Sequence, residues 1–401
     1  MSSVLRLGLF FIALFVGSGA SLPFIPVWFR AQGLGATQMA FILAAPYFGR
    51  TLVGPALALW ADLFRLRRTP MAWLALGAAV AFASLAVMHG FWGWLAAWLL
   101  GSTLLGALSP LGDVLGLRES RIRGFIYAVP RGMGSAGYVF GNVVMGVVLA
   151  KTAPGSVLVW TVAAAALTAV AARWLLPPVP VHDGGELLSA RDLLSGLGGL
   201  LRQPTFMLAI FAIGLIQAAH GFYYGFSTLL WRQQGLGAWT GLLWGWAVGT
   251  EVLFMWFMEP WRRRMGPERL LIVGGAGAVV RWLALSATPP LWLLFALQSL
   301  HALSYAATFF GALRLIERLS PPQAASAAQT LNSAMSGGVL IGLTTIVSGP
   351  LFDALGARGY LVMAGIAGVG LALAFVLMRE LGRQERATPT TPDLAARPSS
   401  P

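Results

Sequence analysis

The 401-residue chain has no cysteine, so disulfide bridges, thiol nucleophiles and cysteine-ligated zinc or iron–sulfur centres are excluded. Its four histidines are scattered rather than clustered, and no metal or other cofactor is expected. Charge is scarce. Only 10% of residues are charged against 57% hydrophobic, and the mean hydropathy is +0.75. A water-soluble domain of that composition would lack the polar surface to cover itself, so the solvent for most of the chain is lipid. Acidic residues are few, 14 against 27 Lys and Arg, for a net charge of +13. The basic residues fall in short clusters between apolar stretches, where anionic lipid rather than nucleic acid is the expected neighbour. Nothing resembles a P-loop, and no Ser, His and Asp grouping sits where a water-facing active site needs one, so the chain reads as a non-enzyme.

What is present is a repeat. Arg30, Ala31, Gln32, Gly33, Leu34, Gly35 and Ala36 return as Arg232, Gln233, Gln234, Gly235, Leu236, Gly237 and Ala238, a spacing of 232 − 30 = 202, about half the chain. Each copy follows an aromatic apolar stretch and precedes another. Apolar runs of about 20 residues cross a bilayer core, and they number twelve here, at roughly 5–29, 38–60, 70–89, 92–117, 124–150, 157–176, 205–231, 239–261, 269–288, 290–317, 325–350 and 356–378. Backbone amides in lipid must be satisfied internally, so these runs are helices. Pro46, Pro130 and Gly134 mark kinks or close helix contacts within them. The first run stays apolar to Phe29 and reads as a retained helix rather than a signal peptide.

The expected fold is therefore an all-α membrane protein of twelve helices in two pseudo-symmetric six-helix halves, residues 1–176 and 205–379. Between them 177–204 forms a proline-bounded linker with Asp183, Glu186 and Asp192, and 380–401 reads as a disordered tail. A repeat of half the length built from spans is the pattern of a transporter with its site between the halves. One set of loops carries Arg65, Arg67 and Arg68, then Arg118, Arg121 and Arg123, then Arg191 and Arg202, then Arg262, Arg263, Arg264 and Arg269, then Arg314 and Arg318. The alternate loops carry Arg30, Lys151, Arg232 and Arg358. The positive-inside rule makes the first set cytoplasmic and puts both termini on that side of a cell inner membrane.

Ionisable residues inside spans are costly and mark function by default. At about 1.5 Å per residue, Arg50 in the second span, Glu251 in the eighth, Arg281 in the ninth and His301 in the tenth lie on the order of 16 to 18 Å deep. Asp113 and Arg131 are shallower, 131 − 113 = 18 residues apart in adjacent spans. Both readings of these groups stand. Asp113 with Arg131 is a structural ion pair or part of a binding site, and Glu251, Arg281 and His301 are a satisfied buried network or a proton site. By the 202-residue offset Arg50 corresponds to position 252, beside Glu251, so the halves place opposite charges at matching places. His220 reads as a hydrogen-bonded contact between helices.

Asp62, followed by Arg65, Arg67 and Arg68 at the end of the second span, resembles the loop motif of the major facilitator superfamily, Gly-x-x-x-Asp-Arg/Lys-x-Gly-Arg/Lys. The match is degraded, with Ala58 and Arg65 at the glycine positions and Leu63 at the first basic one, and Glu259 before Arg262, Arg263 and Arg264 echoes it in the second half. The runs Gln217 to Trp231, Val279 to Trp282, and Leu300 with His301 are similar to the phenylpropionate permease branch of that superfamily, and more distantly the chain resembles the lactose permease branch. The distant resemblance implies roles for Asp113, Arg131 and Tyr138 in substrate binding, and for Glu251, Arg281 and His301 in proton coupling. It breaks at Gln298 and Ser304, where that branch has a lysine and a glutamate.

Arg50, Arg131 and Arg281 against Asp113 and Glu251 leave 3 − 2 = +1, a balance suited to a monoanion. Arg50 or Arg131 would grip its carboxylate. Tyr47, Tyr138, Tyr223, Tyr224, Trp246 and Trp282 offer aromatic surface for a ring, although most such residues serve packing. The expectation is a monomeric, proton-coupled importer of a small aromatic carboxylate that works by alternating access, with Asp62, Arg67 and Arg68 in a conformational loop. The alternatives are an exporter of small amphipathic compounds, a sugar or nucleoside permease, and a non-transporting receptor.

Overall fold

The repeated Gln-Gly-Leu-Gly-Ala stretch is, in the computed structural model, one helix stop used twice. Gly33 (φ 87°) and Gly235 (φ 78°) adopt the left-handed conformation that only glycine enters freely. The amides beyond them reach back to orphan helix carbonyls in the same way, Leu34 N to Phe29 O at 3.2 Å and Leu236 N to Trp231 O at 2.8 Å. The structure describes residues 1–181, 198–321 and 324–387. The linker acids Asp183, Glu186 and Asp192 and the tail beyond 387 lie outside the described residues.

The first half comprises α1 (Ser3–Ala31), α2 (Ala36–Asp62), α3 (Arg68–Ser84), α4 (Gly90–Gly106), α5 (Leu108–Arg123), α6 (Ala128–Lys151) and α7 (Gly155–Trp174). The second comprises α8 (Pro204–Ala218), α9 (Gly221–Gln233), α10 (Thr240–Phe257), the short α11 (Glu259–Arg264), α12 (Pro267–Ser286), α13 (Leu291–Ser299), α14 (Thr308–Leu319), α15 (Ala325–Ala334), α16 (Ile341–Leu355) and α17 (Gly359–Ala387). The described residues form no strand, and one isolated bridge joins Leu66 to Pro180. Nine stretches among them are long and apolar enough to cross a membrane. One, Ala327–Gln384, is 58 residues long and passes through the Gly356–Arg358 turn, so it takes in two of the expected spans, while α3 has 17 residues. Twelve remains the reading of the sequence.

Several boundaries differ from that reading. The expected 92–117 run is two helices broken at Ala107, because Pro110 has no amide to give the Gly106 carbonyl. The tenth expected span contains a π-helical turn at Ala302–Ala307, directly after His301, and the eleventh another at Met335–Leu340. The tail is helical to Ala387, past the expected start of disorder at 380, because Glu380 repeats at helical spacing with Arg383 (3.9 Å) and Gln384 (3.5 Å), and Gln384 also reaches Thr205 (3.2 Å).

Each half packs internally, α1 on α6 and α7 in the first, and α17 on α8 and α12 in the second. Across the seam α2 packs on α16 and α10 on α6, contacts that exchange when the halves exchange. The seam is tight at the arginine-poor end. A β carbon on Gly146 would lie 2.6 Å from the Gly241 Cα, and one on Gly349 would lie 2.7 Å from the Thr37 Cα. Towards the arginine-rich end Gly54, Gly249 and Gly337 have open space beside them, and Gly132 meets the edge of Trp256 at 3.9 Å. The halves thus meet backbone to backbone at the arginine-poor end.

Gly146→Val is accordingly expected to oppose this closure, since overpacking costs about 1–3 kcal/mol. Spin labels at Gln32→Cys and Arg358→Cys, free of background because the chain has no cysteine, should report a longer distance across the arginine-poor end. An unchanged distance would mean that the glycine contact does not hold the seam.

Candidate functional site

The largest buried cation is held without a carboxylate. Arg281 of α12 is 0% exposed. Its Nη2 donates to Gln298 Oε1 at 2.6 Å, and its Nη1 donates to His301 Nδ1 at 3.0 Å and Ser304 Oγ at 3.3 Å. Tyr223 and Trp282 cover the guanidinium, with ring centroids 4.3 and 4.7 Å from its central carbon. Its Nε has no hydrogen-bond partner among the described residues. No Asp or Glu lies within ion-pair distance of Arg281 among the described residues.

The hydrogen bonds fix the histidine tautomers. A guanidinium only donates, so His301 Nδ1 must accept and Nε2 carries the proton. That Nε2 faces Glu251 Oε2 at 3.6 Å. His301 therefore stands between Arg281 and Glu251, and the arginine acts on the glutamate through the imidazole rather than by contact. On the other branch His220 Nδ1 donates to the Gln217 carbonyl at 3.0 Å, leaving Nε2 to accept from Ser304 at 3.3 Å. One donor chain runs from Arg281 through Ser304 and His220 to backbone. Gln298 Nε2 extends the network to Tyr223 Oη at 2.9 Å. The π turn after His301 turns Ser304 inward among these groups, and such turns recur at functional sites.

The first half supplies a looser set. Arg131 Nε lies 3.3 Å from Asp113 Oδ1, with the two side chains 36% and 37% exposed, and Tyr127 Oη donates to the same oxygen at 2.5 Å. Phe15 lies under the Arg131 guanidinium at 4.5 Å. A half-exposed pair of this kind adds at most about 1 kcal/mol to stability. Arg50 is exposed, bonded through Nε to its own-helix Pro46 carbonyl at 3.2 Å and resting over Tyr47 at 5.1 Å. It has no carboxylate partner among the described residues, and it does not pair with Glu251, its counterpart by the repeat. Gly106 leaves the room its stem occupies, since a β carbon there would lie 2.6 Å from Arg50 Cδ. Tyr138 is half-buried and within electrostatic range of Glu251, Tyr223 and Tyr305 of the other half.

Some sequence-predicted residues have other surroundings. Tyr223 and Trp282 have no exposed surface and wall in Arg281, with Trp282 stacked on Tyr360 at 5.7 Å, so in this conformation they offer no face to a substrate. Trp246 points outward and donates to Ser299 Oγ at 2.8 Å. Arg67 does not pair with Asp62. It clamps the start of the linker, its amide bonded to the Val179 carbonyl and its Nη2 to the Val181 carbonyl, both at 2.9 Å, while Arg118 takes the Pro180 carbonyl at 2.8 Å. Arg68 begins α3. In the second-half echo Glu259 pairs with Arg262 and Arg263, and Arg262 lies over Phe310 at 3.9 Å. Sequence reasoning missed the positive roles of Gln298 and Ser304 and missed Tyr305, stacked on His301 at 5.2 Å. Their helical spacing around His301 was the available signal. No cluster of His, Cys, Asp and Glu fit to hold a metal occurs among the described residues.

Two interlocked helical halves with sparse buried charges at their seam define a secondary transporter of the major facilitator fold. The chain belongs to the MFS_1 like family, whose profile matches residues 4–362. It is 29% identical over 353 residues to the maltose permease of Geobacillus stearothermophilus, covering 86% of each chain. It is 28% identical over 377 residues to the probable 3-phenylpropionic acid transporter of Escherichia coli (strain K12), covering 92% of this chain and 96% of that one. Among solved structures it is similar to a point mutant of the nucleoside transporter NupG, with TM-score 0.83 and 17% identity over 94% of this chain and 99% of that one. It is also similar to a bacterial homologue of the human lysosomal transporter Spinster, inward-facing and unoccupied, with TM-score 0.71 and 13% identity over 95% and 97%. The protein is a multi-pass membrane transporter of a small molecule and not an enzyme.

Proposed function

We propose that the chain is a proton-coupled importer of a small aromatic carboxylate, working as a monomer in the inner membrane with both termini in the cytoplasm. The observation that carries this reading is Arg50, an exposed guanidinium beside the Tyr47 ring with no carboxylate partner among the described residues. A planar cation next to an aromatic face suits a carboxylate on a ring. Arg131 is already half engaged by Asp113, which makes Arg50 the stronger holder. Glu251, facing His301 Nε2 at 3.6 Å, is the proton site, and alternating access moves both substrate and proton across the membrane. The phenylpropionic acid relative supports the substrate class.

A second reading, a sugar permease, is favoured by the maltose permease relative. Uptake of labelled 3-phenylpropionate, maltose and uridine into reconstituted vesicles, with and without an inward proton gradient, separates these. Gradient-driven accumulation of the acid, reduced about tenfold or more in Arg50→Gln as expected for a lost charged hydrogen bond, is the expected result. Accumulation of maltose or uridine alone would overturn the substrate class, and gradient-driven loss of preloaded acid would reverse the direction.

A further inference from the structure

An apolar groove of about 450 Å³ opens on the outer face of the first half at its arginine-rich end, lined by Leu57, Trp60, Phe64, Trp73, Leu74 and Leu104. It lies between α2, α3 and α4, away from the seam. Trp60 meets Phe64 edge to face at 4.8 Å to form one wall, and Trp73, 58% exposed, forms the other. Its lining is almost wholly apolar, with the indole N–H groups of Trp60 and Trp73 as its side-chain donors.

Two arginines adjoin its lining residues in sequence. Arg65 follows Phe64 and is exposed, and Arg68 begins α3, five residues before Trp73 (73 − 68 = 5). Neither guanidinium has an ion-pair or hydrogen-bond partner among the described residues, whereas Arg67 and Arg118 nearby are engaged with the linker carbonyls. The first turn of α3 contains no acid, so the positive end of that helix adds to the field. An apolar slot of this size, reaching into the hydrocarbon and adjoined in sequence by two free cations, matches a molecule with an acyl chain and an anionic head.

We propose that this groove is a binding site for an anionic phospholipid, its phosphodiester held by Arg65 and Arg68 and an acyl chain lying along Trp60, Phe64 and Trp73. Free phosphate shares the headgroup chemistry but has nothing to fill the groove. Because the groove lies outside the seam, the site does not depend on which substrate the transporter carries.

The test is native mass spectrometry of the full chain in a neutral detergent, titrated with phosphatidylglycerol or phosphatidylcholine. Phosphatidylglycerol should bind in preference. Each arginine near a membrane surface contributes about fivefold to the binding of an anionic lipid, so Arg65→Gln with Arg68→Gln should weaken phosphatidylglycerol about thirtyfold. Trp73→Ala, at an exposed position that leaves the fold intact, should weaken both lipids alike and preserve the preference. The control pair Arg263→Gln with Arg264→Gln removes the same charge from the other half and should leave binding unchanged. No preference in the parent protein, equal losses in the two double variants, or displacement of phosphatidylglycerol by millimolar inorganic phosphate would each overturn the proposal.

Discussion

Arg281→Gln is expected to abolish uptake, by about a hundredfold or more, while leaving the protein as resistant to heat as its parent. The two halves of that statement come from the same geometry. A guanidinium at bilayer depth costs at least about 3 kcal/mol, and this one has no carboxylate within ion-pair reach among the described residues to offset it. Three neutral acceptors and two aromatic faces hold it instead. Glutamine removes the charge and keeps a donor for Gln298 or Ser304, so the fold loses little. What is lost is the donor that makes His301 Nδ1 accept and so points Nε2–H at Glu251. Charged hydrogen bonds contribute about 1.5–3 kcal/mol each, and two of them set the hundredfold figure. Lysine should not rescue, because a single ammonium cannot reproduce a fork that serves Gln298 on one nitrogen and His301 with Ser304 on the other. Uptake and thermal unfolding, followed on the same preparations, check this together. Uptake within a few-fold of the parent would reduce Arg281 to a packing residue, and a collapse of the unfolding temperature would make it a structural one.

The parts of this arrangement that were legible in the sequence are those set by residue type alone. The repeat holding Gly33 and Gly235 was legible as a repeat, and the backbone shows why it recurs, since both glycines take the left-handed conformation of a helix stop. Charged residues inside apolar runs were legible as candidate site residues from residue type alone. The illegible parts depend on how each helix is rotated and where its backbone yields. Tyr223 and Tyr47 are the same residue type, yet one is sealed against Arg281 and the other is half-buried beneath the exposed Arg50. Only packing against α10 and α12 separates them, and a lone sequence does not carry that rotation. The π turn at Ala302–Ala307 moves Ser304 into the network without any proline to mark it, whereas Pro110 explains the break at Ala107 once the helix is seen to stop. In sequence Gln298 and Ser304 are a departure from the lactose permease pattern. In three dimensions they are the groups that make a carboxylate beside Arg281 unnecessary.

Glu251→Gln tests the acid that faces the His301 end of the same network. Glutamine keeps the shape and still offers an oxygen to His301 Nε2–H, so the site should stay assembled, and exchange of substrate down its own gradient should persist at a rate within a few-fold of the parent. Accumulation against a gradient should vanish, with internal substrate levelling at the external concentration whatever the imposed pH difference. The reason is a matter of charge. Glu251 is 14% exposed at its side chain and meets an imidazole rather than a cation, at 3.6 Å, and the field it feels from the first half comes from Arg131. When the halves rock, that distant cation moves away and the carboxylate would have to cross the closed state unpaired, at a cost of about 3 kcal/mol. A proton removes the cost, which ties reorientation to protonation. A permanently neutral side chain is free to reorient whether or not a proton is available, and the coupling goes while the movement stays. If Glu251→Gln accumulated substrate as the parent does, the coupling proton would have to reside elsewhere. Asp113 would then be the site to test, as the other acid of the proposed cavity, already bonded to Tyr127 and Arg131.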